Sequence, residues 1–411
     1  MPLSARLGPV GRALSHPNYR LYVTGNMASL IGTWMQRIGI GWVAWELTGS
    51  AAWLGIVAFA DLFPTVVVTA FAGVAVDRIG PMKVARVAQY LAVAQATTLA
   101  FLTFTGLIDI WMLIALTAFL GSVTAFYQPA RLAMIPMLVP REDLGAAIAI
   151  NSINFNLARF IGPAIAGGII AAGGAGWTFA INAMTYCWFL AALLMLKLPA
   201  HTPRENGNRP LFTEMGEGYL YAARHAGIGP LLVLVIVTST SLRAVLELMP
   251  AYADGVFQAG AEGLGMLVAA AGAGSILSGI WLGLRGSLRG LTRISLWAVF
   301  ASCLMLLGFA ATEDLTIGMI TMCLAGAALV ANGVGMQTLM QNAVSSEMRG
   351  RVMGIYWMIF RGGPALGALA IGAASELFGL HWPLAAACLL SLVAWAWSMK
   401  RLPRMGQALE A

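Results

Sequence analysis

A chain of 411 residues that is 59% hydrophobic and only 10% charged, with a mean hydropathy of +0.80, falls outside the composition of soluble domains, which carry about 25% charged residues. Its net charge of +7 is spread along the chain and not gathered into one basic patch, so nucleic acid is not an expected partner. Four cysteines, Cys187, Cys303, Cys323 and Cys388, lie inside apolar runs without metal-like spacing; they read as small core residues, and neither a metal nor a cofactor is expected.

In chain order, residues 1–19 form a basic, amphipathic lead-in ending at Asn18-Tyr19-Arg20. It has no apolar core followed by a cleavage site, so the first span is expected to stay in the protein. A helix crosses the hydrocarbon in about 20 residues. On that ruler spans fall near 20–46, 52–75, 84–105, 109–131, 144–171 and 174–197, then 229–254, 262–284, 290–311, 314–342, 351–376 and 380–400. The expected fold is all-α and membrane-embedded, with twelve transmembrane helices in two six-helix bundles at 20–197 and 229–400. A cytoplasmic linker, 198–228, joins them, and 401–411 is a cytoplasmic tail. Within the linker, Leu211, Met215, Tyr219 and Ala222 fall on one helical face, which suits a strap lying along the interface.

Orientation follows from Lys and Arg. The tails and the loops after even-numbered spans hold Arg6, Arg12, Arg78, Lys83, Arg86, Arg141, Arg204, Arg209, Arg224, Arg285, Arg289, Arg349, Lys400, Arg401 and Arg404. The loops after odd-numbered spans hold acids and His381 but no Lys or Arg. Both termini are therefore expected in the cytoplasm.

The halves echo each other: Gly162-Pro163-Ala164 in the fifth span answers Gly363-Pro364-Ala365 in the eleventh. Glycine lets helices approach and proline frees a carbonyl, so both pairs are candidate pivots as well as packing sites.

Charges near the bilayer centre cost at least about 2.5–3.5 kcal/mol each and need a reason. Arg37 on the first span and Asp61 on the second lie about 14 Å from the outer side. Arg159, Arg243, Glu247 and Arg361 are central too, with Arg243 and Glu247 one helical turn apart. One reading makes Arg37–Asp61 and Arg243–Glu247 neutral pairs that stitch helices together. The other makes Asp61, or failing it Glu247, a proton carrier, since burial favours the neutral acid and an adjacent guanidinium the carboxylate. Four buried arginines against two acids favour an anionic or zwitterionic cargo. Trp34, Gln36, Asn154, Tyr186, Gln337, Asn342, Tyr356 and Trp357 are candidates for an aromatic and polar cleft, with ordinary helix packing as the competing explanation for each.

Between the second and third spans runs GVAVDRIGPMK, in which Gly73, Asp77, Arg78, Gly80 and Lys83 match the loop between the second and third helices of the major facilitator superfamily. A degraded echo, Gly283-Leu284-Arg285-Gly286, lacks the aspartate. Longer segments, Ser29 to Gln36, Leu47-Thr48-Gly49-Ser50, Gln128-Pro129-Ala130 and Glu347 to Arg351, resemble the enterobactin-exporter and macrolide-efflux group of bacterial facilitators, and the likeness runs from Asn18 to about Lys400. The resemblance implies two repeated halves with the substrate site at their interface. It also implies that Asp77 caps the start of the eleventh span near Arg349-Gly350-Arg351, holding the outward-facing state. Gly162-Pro163 resembles the antiporter motif of drug exporters, but three residues and not two precede Gly167-Gly168. The acid that many members of the group carry in the first span, near Thr33, is missing here.

The expected function is proton-coupled export of a siderophore, drug-like or other amphiphilic molecule across the bacterial inner membrane, by a monomer whose partners are that small molecule, protons and the lipid bilayer. The alternative is an importer or carrier of an anionic metabolite or lysolipid. An enzyme is not expected: there is no HExxH, no GxxxxGK and no Cys/His metal set, and His16, His201, His225 and His381 lie in loops or tails. A transport-dead sensor would tolerate loss of the Asp77 motif, which is intact.

Overall fold

The computed structural model describes residues 8–198, 211–345 and 347–410. A short helix, α1 (Gly8–Ser15), precedes the long helices α2 (Pro17–Thr48), α3 (Ala51–Ile79), α4 (Pro81–Phe104), α5 (Ile110–Leu138), α6 (Leu144–Gly173) and α7 (Gly176–Met195). After α8 (Leu211–Arg224) come α9 (Ile228–Ser241), α10 (Gly260–Arg285), α11 (Leu291–Ala310), α12 (Leu315–Ala343), α13 (Arg349–Phe378), α14 (His381–Met399) and α15 (Leu402–Leu409). Eleven of these are long and apolar enough to cross a membrane, α9 together with the turn that follows it. The twelfth crossing is α2, whose 32 residues include Asn26, Gln36 and Arg37 and are less apolar on average. An all-helical architecture meets the demand of lipid, because each helix satisfies its own backbone. Two turns end the same way: Asp109 accepts from the Met112 amide at 2.8 Å and Asp314 from the Ile317 amide at 2.9 Å, each capping the helix that follows.

The chain forms two compact units, Met1–Val43 with Ala60–Asn206 and Ala44–Phe59 with Gly207–Ala411. In the first, Tyr19, Tyr22, Met134, Phe189 and Leu193 build an apolar core near the basic ends of the helices. Nearer the middle, buried amides do the stitching. Gln36 donates to Gln95 at 2.9 Å, and Asn182 donates to Gln36 at 2.8 Å, joining α2, α4 and α7. The lead-in α1 is anchored on Asp143, which receives Arg12 at 3.2 Å and His16 at 2.9 Å.

In the second unit the seventh span is not one regular helix. After α9 the backbone tightens into a 3-10 turn, Arg243–Leu248, and after Pro250 widens into a π-type turn, Ala251–Val256. Such departures from α geometry mark hinges and functional sites. The linker strap is helical in α8 and lies along the start of α13: Arg351 pairs with Glu217, and a Cβ at Gly218 would sit 2.9 Å from that of Arg351. Of the strap's expected apolar face, Ala222 is buried and Tyr219 exposed; the side chains of Leu211 and Met215, and residues 199–210, lie outside the described residues. Next to the strap, His225 Nδ1 accepts from the Gly227 and Ile228 amides at 3.2 Å, which caps α9. Burial holds this imidazole below its ordinary 6.5, in the neutral form that can accept.

The tail is structured as well. Met405 and Leu409 of α15 are buried, and Glu410 accepts from the Gly290 amide at 2.6 Å and the Thr292 amide at 2.8 Å, capping α11. Asn342, at the basic end of α12, donates to the Leu409 carbonyl at 3.3 Å.

Candidate functional site

In the first unit the candidate residues converge on Trp34. The guanidiniums of Arg37 and Arg159 lie 5.5 and 5.7 Å from its ring, and Phe155 meets it edge-on at 6.1 Å. Arginine over an aromatic face gains from the ring quadrupole. Glycine places these groups: a Cβ at Gly162 would stand 2.7 Å from the Ile31 carbonyl and from Trp34 Cβ, so α6 crosses α2 directly at the tryptophan. Asp61 is set by a second crossing, where a Cβ at Gly121 of α5 would come within 2.3 Å of its carbonyl oxygen and Thr65 donates to the Gly121 carbonyl at 3.2 Å. Arg37 and Asp61 are 3.7 Å apart, and their side chains are 27% and 28% exposed. This is a long ion pair at a half-buried position.

The second unit holds a comparable arrangement. Arg243 lies 4.1 Å above the Phe360 ring, Tyr356 stacks on Phe360 at 5.5 Å, and Trp357 meets it edge-on. Ser239, Asn332, Arg243 and Tyr356 line a cavity of about 10 Å³, enough for one water. Gly363 repeats the role of Gly162, since a Cβ there would sit 2.5 Å from Ser239 Cβ and brings α13 onto α9. Pro163 and Pro364 are buried beside these crossings. Arg361 and Glu247 are half-buried, Glu247 within the 3-10 turn.

The other cleft candidates separate by burial. Gln36 is fully buried in the amide network, Tyr186 is buried with its hydroxyl 3.0 Å from Thr33, and Tyr356 donates to the Gly333 carbonyl at 3.3 Å. Asn154 and Gln337 are half-buried, Trp357 is exposed, and Asn342 is occupied by the tail.

The loop expected to gate begins inside α3, whose last turns carry Gly73 and Asp77, both half-exposed, with Arg78 exposed. Gly80 ends the turn at φ 98°, a conformation that only glycine adopts freely, and Pro81 starts α4 ahead of the exposed Lys83. In the degraded echo, Arg285 donates to the Ser287 carbonyl at 2.8 Å and to the Arg289 carbonyl, so its guanidinium organises the loop in place of a carboxylate.

One charged residue escaped the sequence reading. Arg131 is buried, 3.5 Å from Asn151 and 5.8 Å from the Phe155 ring. Pro129 and Pro136 suggest an end to the fourth span, whereas α5 runs on to Leu138 and carries Arg131 inside the bundle. The signal available was the apolar run Leu132 to Val139 that follows it.

Comparison with known proteins agrees with this architecture. The chain is 26% identical over 366 residues to the staphyloferrin A transporter of Staphylococcus aureus, covering 88% of this chain and 90% of that protein. It is 26% identical over 368 residues to the multidrug efflux pump Tap of Mycolicibacterium fortuitum, covering 85% and 87%, and 23% identical over 376 residues to macrolide efflux protein A of Streptococcus pyogenes, covering 90% and 92%. In fold it matches a point mutant of the nucleoside transporter NupG, with a TM-score of 0.74 at 13% identity over 93% of this chain and 99% of that one. A bacterial homologue of the human lysosomal transporter Spinster matches with a TM-score of 0.74 at 14% identity, over 96% and 99%. The profile of the transmembrane secretion effector family matches residues 11–411, and the chain belongs to that family of major facilitator transporters.

Proposed function

We propose that this transporter is a proton-driven exporter of an amphiphilic organic molecule bearing an acidic group, of the siderophore or drug-like kind. The observation that carries the reading is Trp34 flanked by Arg37 and Arg159, with Asp61 3.7 Å from Arg37. An indole offers an apolar face for a ring or chain, and two guanidiniums offer bidentate donors for a carboxylate. Export against inward proton flow needs cargo and proton to occupy this site in turn. Arg37 and Arg159 hold the cargo carboxylate on the way out. Asp61 takes a proton from outside only after the cargo has left, and releases it to the cytoplasm when alternating access returns the pair to the inner side. Cargo and proton are thereby linked at one residue pair. The two relatives named as efflux proteins support the direction, and the one named as a staphyloferrin A transporter supports a cargo of the siderophore kind.

In this reading the protein is a monomer of the bacterial inner membrane with both termini in the cytoplasm. The Asp77 loop acts as the cytoplasmic latch, and Gly162-Pro163 and Gly363-Pro364 are the pivots. The arginine–aromatic pairing in both units also favours a second reading, a carrier of an anionic metabolite or lysolipid, which would need no proton.

Calorimetry on the purified protein separates cargo classes. Aromatic organic anions should bind, matched lipophilic cations should not, and Arg159→Gln or Trp34→Ala should weaken anion binding about tenfold or more. Preferential binding of cations would contradict the anionic-cargo reading.

A further inference from the structure

Between α10, α11 and α12 the second unit carries an open apolar groove of about 610 Å³, the size of a ligand site, about 300–1,000 Å³. Ala298, Ala301, Ala327 and Ala331 give it a floor of small residues, and Trp281 and Trp297 stand as its walls. Trp395 of α14 backs the Trp297 ring at 5.6 Å, yet Trp281 and Trp297 remain 50% and 44% exposed.

The groove has a charged end. Arg285 lies four residues beyond Trp281 on α10, and Arg293 four residues before Trp297 on α11. At that spacing each arginine sits one turn from a wall tryptophan, on the same helix face. Arg285 is occupied by its loop carbonyls, which fixes the Gly286–Gly290 turn. Arg289 and Arg293 are exposed, and among the described residues neither forms an ion pair. The nearby acid, Glu410, spends both carboxylate oxygens on the Gly290 and Thr292 amides.

The preference for arginine on the cytoplasmic side accounts for the charges alone. It does not account for an alanine-floored trench that opens one turn outward from them between two tryptophans. We infer that this groove is a binding site for an anionic phospholipid of the cytoplasmic leaflet. One acyl chain lies along the alanine floor between Trp281 and Trp297, and the headgroup phosphate is held by Arg289 and Arg293. Tryptophan at the headgroup level and basic pockets between helices are the physical elements of such sites.

The test is native mass spectrometry of the full-length protein, purified in mild detergent and titrated with phosphatidylglycerol or phosphatidylethanolamine of identical chains. Wild type should retain phosphatidylglycerol at least about fivefold better. Arg289→Gln/Arg293→Gln should abolish that preference and leave phosphatidylethanolamine retention unchanged. Ala301→Leu, which fills the floor and leaves both arginines, should reduce retention of both lipids; circular dichroism and thermal melting confirm that each variant is folded. Equal retention of the two lipids by wild type, or an unchanged preference in the double arginine variant, overturns the assignment. So does glycerol phosphate competing as well as the full lipid, because the groove would then contribute nothing.

Discussion

Glu376, at the end of α13, accepts a hydrogen bond from the Ser50 hydroxyl at 2.6 Å and another from the Ala52 amide at 3.2 Å. Ser50 in turn accepts from the Trp53 amide at 3.4 Å, so serine and glutamate together cap the start of α3. Just beyond, two glycines bring backbones together: a Cβ at Gly372 would lie 2.3 Å from the Ala51 carbonyl, and one at Gly55 would lie 2.5 Å from the Ala368 carbonyl. Asp254 adds a contact to the same hairpin by accepting from the Trp45 indole at 2.8 Å. This is why residues 44–59 cluster with Gly207–Ala411.

Replacing Glu376 with Ala should therefore cost about 0.5–2 kcal/mol, the range for loss of a helix cap. Glu376→Gln, which keeps an acceptor, should cost less. Gly372→Leu should cost more than either, because the backbone contact leaves no room for a side chain. Thermal melting in detergent ranks the three variants.

The crossing at Gly162 makes a sharper prediction for transport. Gly162→Leu should abolish cargo binding by pushing α6 away from Trp34. Gly168→Ala, six residues along the same helix with nothing within 4 Å of the new Cβ, should leave binding intact and gain up to about 1 kcal/mol in helix propensity. Calorimetric titration with an aromatic anion distinguishes the two.

The docked tail has a pH signature. Burial pushes Glu410 up, but hydrogen bonds from Thr292 and the Gly290 amide, with Arg285 nearby, outweigh it and hold the carboxyl below its ordinary 4.5. A carboxyl lowered by folding stabilises the docked tail fully above its ordinary value, and that contribution is lost as pH falls through the folded value. Proteolysis of the tail should accelerate as pH drops below 4.5 in wild type. In Glu410→Gln it should be faster at neutral pH and nearly independent of acid.

Much of this architecture was legible from residue order. Apolar runs of membrane length give the crossings, and the Gly-Pro echo falls at matching contacts, α6 on α2 and α13 on α9. The depth of Arg37 and Asp61, read at one helical rise per residue, places them close enough to pair. What escaped depends on contacts distant in sequence. Arg131 was hidden by prolines that α5 tolerates, and the break at Arg243–Leu248 leaves no strong local signal. Glu410 looks like a frayed terminus until α11 supplies two amides for it to cap. Gln36, read as a cleft candidate from its polarity and position, is fully buried once Gln95 and Asn182 are placed beside it.

The central claim, that cargo and proton meet at Arg37 and Asp61, is tested most directly in everted vesicles carrying an imposed proton gradient. A panel of siderophores, macrolides, organic anions and lysolipids is added while the gradient is followed, beside Asp61→Asn, Glu247→Gln and empty-vector membranes. The account predicts collapse of the gradient by one class of acidic amphiphile, lost in Asp61→Asn and retained in Glu247→Gln. A gradient undisturbed by a compound that folded wild-type protein binds, or collapsed equally in Asp61→Asn, would contradict it and leave Arg37–Asp61 as a pair that joins α2 to α3.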